Sequence, residues 1–503
     1  MPAWPILGPG RGLRVRPVRI FSVSVFALSL AVTLSPAGGA RAETLQDALI
    51  SAYIDNPALQ AQRARLRVTD ETYVQVQAEF APTVTLQGQG TYDRSWDSKD
   101  TRAAERTSTT PLPDYTEQNS GSGSLVISEP LYSGGKLAAD LKAADADVRA
   151  GRQALRTTEA NTLYNVVLAY ADMLRDQQEL EIRKLNLAEL QHELEEAKAR
   201  LKAGEVTQTD VAQSQAELDD EQSLTQQASD QVEISRANYA AAVGHKPEGL
   251  APLPELKGLP ATINDCLKAA ERDNPDLGQA LWTEAGSHAR IYSARAALRP
   301  TISAQIQAGY QGPLSPYDPR ALGRQVSATA NVVVPLYSGG LIQSQVRQAV
   351  DQNAVDQMSV EDTHRTVTQT LLTLWAERHT ALMTIDAESR RVAAAKVEFE
   401  GMRKEYSAGE RSTLDVLTAE ETLRDAEISV ESAKHDAYVL GAGILQNMGW
   451  LEMRNLVDGL RPYNPAAHLE KVMPAGVPWQ KPLEALDDSG SRTVKPMSVT
   501  GGK

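Results

Sequence analysis

The sequence has no apolar run long enough for a membrane-spanning helix. Its best candidate, Ile20 to Leu34, falls short of the about 20 residues that a bilayer requires. Cysteine is nearly absent: with Cys266 alone, the chain has no internal disulfide, and its stability must come from packing. No cysteine stands near residue 43 to carry a lipid anchor. Basic charge is scarce as well. Residues 1–42 hold five of the 51 Lys and Arg and none of the 65 acids, which leaves 46 bases against 65 acids afterwards, a net charge of -19. Such a chain excludes nucleic acid as a partner, since counterion release needs clustered cations. Catalytic patterns are also missing. The seven histidines are scattered without zinc-site spacing, Pro130 stands where a phosphate loop needs its first glycine, and no serine lies between suitably spaced glycines. The expectation is a protein that is not an enzyme and has no metal or cofactor.

The first forty residues form a secretory signal. Arg11, Arg14, Arg16 and Arg19 precede the short apolar run, and Ala40-Arg41-Ala42 supplies the cleavage site. The mature chain then begins at Glu43.

The mature chain is an internal duplication. Pro-Leu-Tyr-Ser-Gly-Gly occurs at Pro130 to Gly135 and again at Pro335 to Gly340, so Gly134 and Gly135 correspond to Gly339 and Gly340. An Asp-Asn-Pro precedes each copy at Asp55 and Asp273, and an Ala-Gly-Glu follows each at Ala203 and Ala408. The upstream landmarks are offset by 218 residues and the downstream ones by 205, so 13 extra residues lie between Tyr92 and Pro130. A unit this long exceeds solenoid periods of roughly 20–50 residues.

Each half contains two segments of alternating polarity. Val84, Leu86 and Tyr92 oppose Thr83, Thr85, Gln87 and Gln89, and Ile302, Ala304, Ile306, Ala308 and Tyr310 oppose Thr301, Ser303, Gln305 and Gln307. Their partners are Ser122 to Glu129 and Gln325 to Val334. The pattern predicts strands with one apolar and one polar face, with the 13-residue insertion held mostly in a loop from Trp96 to Asn119. About ten residues suffice to cross a membrane at barrel tilt, yet four strands cannot close a barrel and lipid does not tolerate open edges. Membrane-spanning strands here would require several protomers to share one barrel; otherwise the segments form a soluble sheet packed on helices.

Lys136 to Ala203 and Leu341 to Ala408 contain no proline, and each predicts a helix of roughly 100 Å. Shorter helices follow at Val206 to Val243 and Ser412 to Leu445, so each half carries a helical hairpin with Ala-Gly-Glu at its tip. Val416, Ala419, Leu423, Ala426, Val430 and Ala433 form a coiled-coil seam, as do Leu187, Leu190, Leu194 and Leu201. Charges such as Glu193, Glu195, Glu196, Lys198 and Arg200 read as solvated surface. Asn56 and Asn274 are predicted N-caps ahead of Pro57 and Pro275. The expected divisions are a signal peptide (1–42), a first repeat (43–243), a linker (244–260), a second repeat (261–447) and a C-terminal segment (448–503) that is disordered from about residue 461.

This combination resembles the TolC or outer membrane factor family: the signal, the duplicated strand pair with a helical hairpin, the hexamer at the strand-to-helix joint, and Arg200, Leu201 and Gly204 in the tip motif. The resemblance covers roughly residues 44–450. It implies an α+β membrane protein. Three copies would form a 12-stranded outer-membrane β-barrel above a tunnel of antiparallel coiled-coil hairpins, an α-barrel that projects into the periplasm. The implied role is export of proteins by type I secretion, of small molecules by efflux, or of both. The implied partners are two further copies, outer-membrane lipid, a periplasmic adaptor, and an inner-membrane transporter of the ABC, RND or MFS kind. The adaptor would contact the hairpin tips at Arg200, Leu201, Gly204 and Gly409. Gate links would join Tyr406 and Arg411 to Thr209 and Asp210, and Asp415 would ring the tunnel mouth; Thr418 stands where some members have a second aspartate. Spacing alone also allows a plainer role, because Thr207 with Asp210 and Ser412 with Asp415 match helix capping boxes. The alternatives are a periplasmic adaptor, which has one hairpin per chain, and a soluble coiled-coil protein, which needs no amphipathic strands.

Overall fold

Elements follow the duplication closely. A computed structural model describes residues 42–96, 115–313, 320, 322–457, 459–473 and 478–489; the signal segment, apart from Ala42, lies outside them. In the first half, α1 (Leu45–Asp55) and α2 (Pro57–Ala78) lead into β1 (Thr83–Trp96) and β2 (Tyr115–Tyr132), then α3 (Lys136–Ala203) and α4 (Gln208–Val243). In the second, α5 (Ile263–Asp273) and α6 (Pro275–Ala296) lead into β3 (Thr301–Pro313) and β4 (Gly323–Val333), then α7 (Leu341–Ser407) and α8 (Thr413–Asn447). Asn56 Oδ1 accepts from Ala58 N at 2.9 Å, and Asn274 Oδ1 accepts from Leu277 N at 2.8 Å, so both asparagines cap as expected.

The four strands form one antiparallel sheet in the order β1-β2-β3-β4. Its register gathers like residues across all four strands. Val84 pairs with Ile127, which pairs with Ile306 and that with Ala328; one step along, Leu86, Leu125, Ala308 and Val326 align. Gln87, Ser124, Gly309 and Gln325 align on the opposite face. A one-residue slip would exchange these faces, so the polarity pattern fixes the pairing. Leu86 is 83% exposed in the single chain, and β1 and β4 are open edges. β1 and β2 stay paired out to Trp96 and Tyr115, so Tyr115 to Asn119, expected in the connecting loop, belong to a strand, and residues 97–114 lie outside the described part.

The two repeats interlock. α6, from the second repeat, packs along α3 of the first as well as against α7. Residues 244–260 are not a free connector: Glu43 N donates to Gly249 O at 2.8 Å and Ala251 N to Glu43 O at 2.9 Å, while Leu250, Leu253, Leu256 and Leu259 pack on the main core. That core gathers Leu49, Leu163, Tyr170, Tyr239, Leu445 and Leu451 where both hairpins end.

The segment beyond residue 461, expected to be disordered, contains α10 (Ala467–Val472) and α11 (Gln480–Asp488), after a short α9 (Met453–Leu456). Its composition misleads because it gains order from contact with the body of the protein. The Asp487 carboxylate, 2% exposed, accepts from Ser133 N (2.8 Å), Gly135 N (3.0 Å) and Ala138 N (3.1 Å), and also from Ser133 Oγ. It therefore caps α3, whose own N-cap Gly135 has no side chain to do so. Gly134 is needed here on two counts: its φ is 73°, and a Cβ would sit 2.9 Å from Ala296 O. Asp487→Ala should cost about 2 kcal/mol by leaving these donors unpaired. Limited proteolysis should then cut around α11 faster than in the parent; an unchanged cleavage pattern would contradict the capping role.

Candidate gate and hairpin tips

The tips are built alike. Gly204 has φ 79° and Gly409 has φ 80°, and Glu205 N and Glu410 N reach back to Arg200 O (3.0 Å) and Glu405 O (2.9 Å) to close the ends of α3 and α7. Both glycines have open space around them, so the tips present bare backbone to solvent. Leu201 packs towards Leu194, Ala197 and Val211 in a small cluster that pins α3 to α4.

Each tip acid caps its own helix. Asp210 Oδ2 accepts from Thr207 N and Thr207 Oγ1 at 2.8 Å, and Asp415 Oδ2 accepts from Ser412 N at 3.0 Å and Ser412 Oγ at 2.9 Å. Those bonds, with Arg411 nearby, hold the Asp415 carboxyl below the ordinary aspartate value, so it is charged at neutral pH. Arg411 Nε pairs with Glu405 at 2.8 Å on its own hairpin. Tyr406 receives a bond from Thr413 Oγ1 at 3.4 Å, and the Arg200 guanidinium lies over its ring at 4.7 Å. Within one chain, then, Tyr406 meets Arg200 of the first tip, and neither Tyr406 nor Arg411 bonds Thr209 or Asp210. Local caps form first because they close over three residues, whereas cross-hairpin links need a second surface.

Of the turn residues, Gly134, Gly135, Gly339 and Gly340 all have positive φ. Pro130 ends the regular β2–β3 pairing, where the register shifts before Tyr132, while Pro335 lies just past β4.

Behind the tips lies a layer whose residues look like solvated surface in the sequence. Arg403 of α7 pairs with Glu189 of α3 at 2.6 Å, and Arg424 of α8 pairs with Glu221 of α4 at 2.8 Å. The second pair is buried, with side chains 8% and 1% exposed. Glu193 and Glu420 sit beside these pairs. Burial, reinforced by Glu189, pushes the Glu193 carboxyl up to about 7; burial, reinforced by Glu193 and Glu189, pushes Glu420 to about 8. Glu420 is 7% exposed, and its Oε2 has no hydrogen-bond partner among the described residues. The sequence offers one signal for this layer: Glu420 and Arg424 fall among the buried seam positions Val416, Ala419, Ala426 and Val430 of α8.

Two long hairpins plus a four-stranded sheet with two open edges define a chain that contributes part of a shared barrel. The Outer membrane efflux protein family model matches residues 48–245 and 266–439. The chain belongs to that family and is an outer-membrane channel protein of the efflux class. It is 29% identical over 449 residues to the outer membrane efflux protein BepC of Brucella suis biovar 1 (strain 1330), which covers 89% of this chain and 94% of BepC. It is 23% identical over 439 residues to the outer membrane protein TolC of Escherichia coli K12, covering 83% and 84%. In fold it is similar to VceC of Vibrio cholerae (TM-score 0.69, 19% identity, 80% and 96% covered) and to the open state of the MtrE channel of Neisseria gonorrhoeae (TM-score 0.69, 19% identity, 82% and 90% covered). Family members are channels rather than enzymes.

Proposed function

We propose that three copies of this chain close one 12-stranded barrel and one helical tunnel, through which cargo delivered by an inner-membrane transporter and a periplasmic adaptor leaves the cell. The open edges β1 and β4, on a sheet whose one face is apolar in register across all strands, carry this reading. Unpaired backbone cannot stay in lipid, so β4 of one copy must pair with β1 of the next. Mass measurement in detergent tests it: a trimer is expected, and a stable membrane-extracted monomer would refute it. Fractionation adds an independent check, since the assembly should resist alkaline and high-salt extraction from outer membranes.

Cargo breadth follows from the relatives. Besides the efflux protein BepC, they include the alkaline protease secretion protein AprF of Pseudomonas aeruginosa. The tunnel itself carries no cargo-selective chemistry in this reading; the transporter, of ABC, RND or MFS kind, supplies it. The bare backbone at Gly204 and Gly409, with Arg200 and Leu201 beside it, is the surface offered to the adaptor.

The links of Tyr406 and Arg411 to Thr209 and Asp210 belong between neighbouring copies in the closed trimer, because Tyr406, Arg411 and Asp210 each bond elsewhere within their own chain. Combining Tyr406→Phe with Arg411→Ser should raise single-channel conductance several-fold in planar bilayers. Unchanged conductance in intact trimers would remove both residues from the gate. Asp415 then places three permanent carboxylates around a narrow mouth, where low-dielectric walls strengthen their field. Multivalent cations should block the pore from the tip side, with block that falls steeply with salt over a screening length of about 8 Å. Asp415→Ala should abolish that block; a retained block would leave Asp415 as a helix cap only.

A further inference from the structure

A cavity of about 370 Å³ lies at the seam between the two ends of the described chain, far in sequence from the tips and the strand edges. α1 and α2 supply Tyr53 and Arg63, α3 supplies Arg152, Leu155 and Arg156, and the segment Pro462 to Pro465 covers it. The volume falls in the range of small-molecule sites, about 300–1,000 Å³. Its walls combine apolar and aromatic groups with a surplus of guanidinium.

The charges are unevenly matched. Glu452 takes two of the arginines, accepting from Arg156 Nε at 2.7 Å and pairing with Arg454 through its other oxygen. Glu159 accepts from Met453 N at 2.9 Å; burial pushes its carboxyl above the ordinary value, while the nearby Arg63 and Arg454 draw it down. Arg63 and Arg152 line the cavity beside them. Arg63 is 8% exposed and is held between the rings of Tyr53 and Tyr463, at 4.7 and 5.0 Å from their centroids. One of its terminal nitrogens donates to Tyr53 O at 3.2 Å, but its Nε has no partner among the described residues. Arg152 Nε is likewise unpartnered among them. Arg152 interacts with Asp70, which is fully buried with neither oxygen hydrogen-bonded among the described residues; burial pushes that carboxyl up, and Arg152 and His468 draw it down. Arg63 and Arg152 thus both line the cavity, and each has a buried Nε without a hydrogen-bond partner among the described residues.

We propose that this cavity binds a phosphate ester on a compact apolar body, with Arg63 and Arg152 holding the phosphoryl oxygens and Leu155, Tyr53, Tyr463 and the prolines enclosing the rest. Arginine suits this role because its planar donors match phosphoryl oxygens two at a time. Tyr463 N donates to Tyr53 Oη at 2.9 Å, so the covering segment is already latched to α1 and a ligand would tighten that latch. A lipid headgroup and a soluble phosphate ester share the required chemistry.

Isothermal titration of the intact detergent-solubilised assembly, at matched ionic strength, tests the site with phenyl phosphate and with dihexanoyl phosphatidic acid. Saturable binding of at least one is expected. Binding of phosphatidic acid alone points to a headgroup, and binding of phenyl phosphate points to a soluble ester. Arg152→Gln should weaken that binding roughly tenfold, the effect of losing one charge-assisted bond. Arg63→Gln should weaken it at least as much; because it also removes the stack between two tyrosines, Arg152→Gln is the deciding variant. Absence of saturable binding by either probe, or binding unchanged in Arg152→Gln, would overturn the proposal.

Discussion

Replacing Arg424 by leucine should destabilise the packed hairpins by about 3–5 kcal/mol, the largest single effect expected from any tip-proximal substitution. Its partner Glu221 is 1% exposed and would keep only Arg183, at 3.6 Å, as a counter-charge. Glu217 lies on the same helix, where burial, then Glu421, pushes its carboxyl upward, so the environment already disfavours a second uncompensated anion. Removing both partners is a different matter. Arg424→Leu with Glu221→Leu should lose much less than either single change, because an apolar pair of similar size avoids the desolvation of two charges. Denaturant unfolding of the assembly, or the unfolding rate where refolding fails, checks the cycle. Strict additivity, or a single-mutant cost under about 1 kcal/mol, would show that the pair is not the clamp between the hairpins.

Raising the pH from about 5 to about 8.5 should loosen the same region and increase the open probability of the channel. Glu193 and Glu420 have packed-state values of about 7 and about 8, raised from the 4.5 of a hydrated glutamate. A raised packed-state value means that packing is favoured where both states are protonated, below 4.5, and that this advantage is lost as pH climbs through 7 and 8. Each tenfold gain in proton affinity corresponds to about 1.4 kcal/mol, although Glu193 is partly exposed and solvent screening reduces its share. The two acids titrate together, since they lie close enough for the charge on Glu193 to raise Glu420. Glu189, Glu196 and His192 on α3, Arg403 on α7 and Arg424 on α8 complete the charged surroundings, and the arginines moderate the rise without cancelling it. Hydrogen exchange at α3 and α8, or bilayer recordings across this window, would detect the change. Glu193→Gln with Glu420→Gln should flatten it, and a pH response that survives the double substitution would have to come from other groups.

The contrast between the tips and the layer behind them explains what the sequence can show. The strands are legible because period-two alternation must match the sheet register, and the long helices because proline is excluded from their interiors. The N-caps at Asn56 and Asn274 and the capping boxes at Asp210 and Asp415 are legible for a similar reason: each is completed within three residues. Arg424 with Glu221 is not legible as a pair, because 203 residues separate the partners; only the place of Arg424 among the seam positions of α8 hints at its burial. Glu193 resembles a surface charge for the same reason. The outer ends of β1 and β2 escape notice because Tyr115 to Asn119 lack the alternation that marks the rest of β2. The last segment has the composition of a disordered tail because its ordering comes from contacts with distant residues: Trp479 Nε1 donates to Glu129 at 2.6 Å, and Asp487 finds its first donor 354 residues earlier.

That distance has a consequence for biogenesis. An exported chain emerges from its N-terminal side, so Ser133 and Gly135 reach the far side of the inner membrane long before the residue that completes their turn. Until Asp487 arrives, the start of the 68-residue helix has only the local Ser133 hydroxyl, which accepts from Leu137 N at 3.0 Å, beside a sheet with open edges. The joint between strand and helix therefore gains these bonds only after some 350 further residues have followed it.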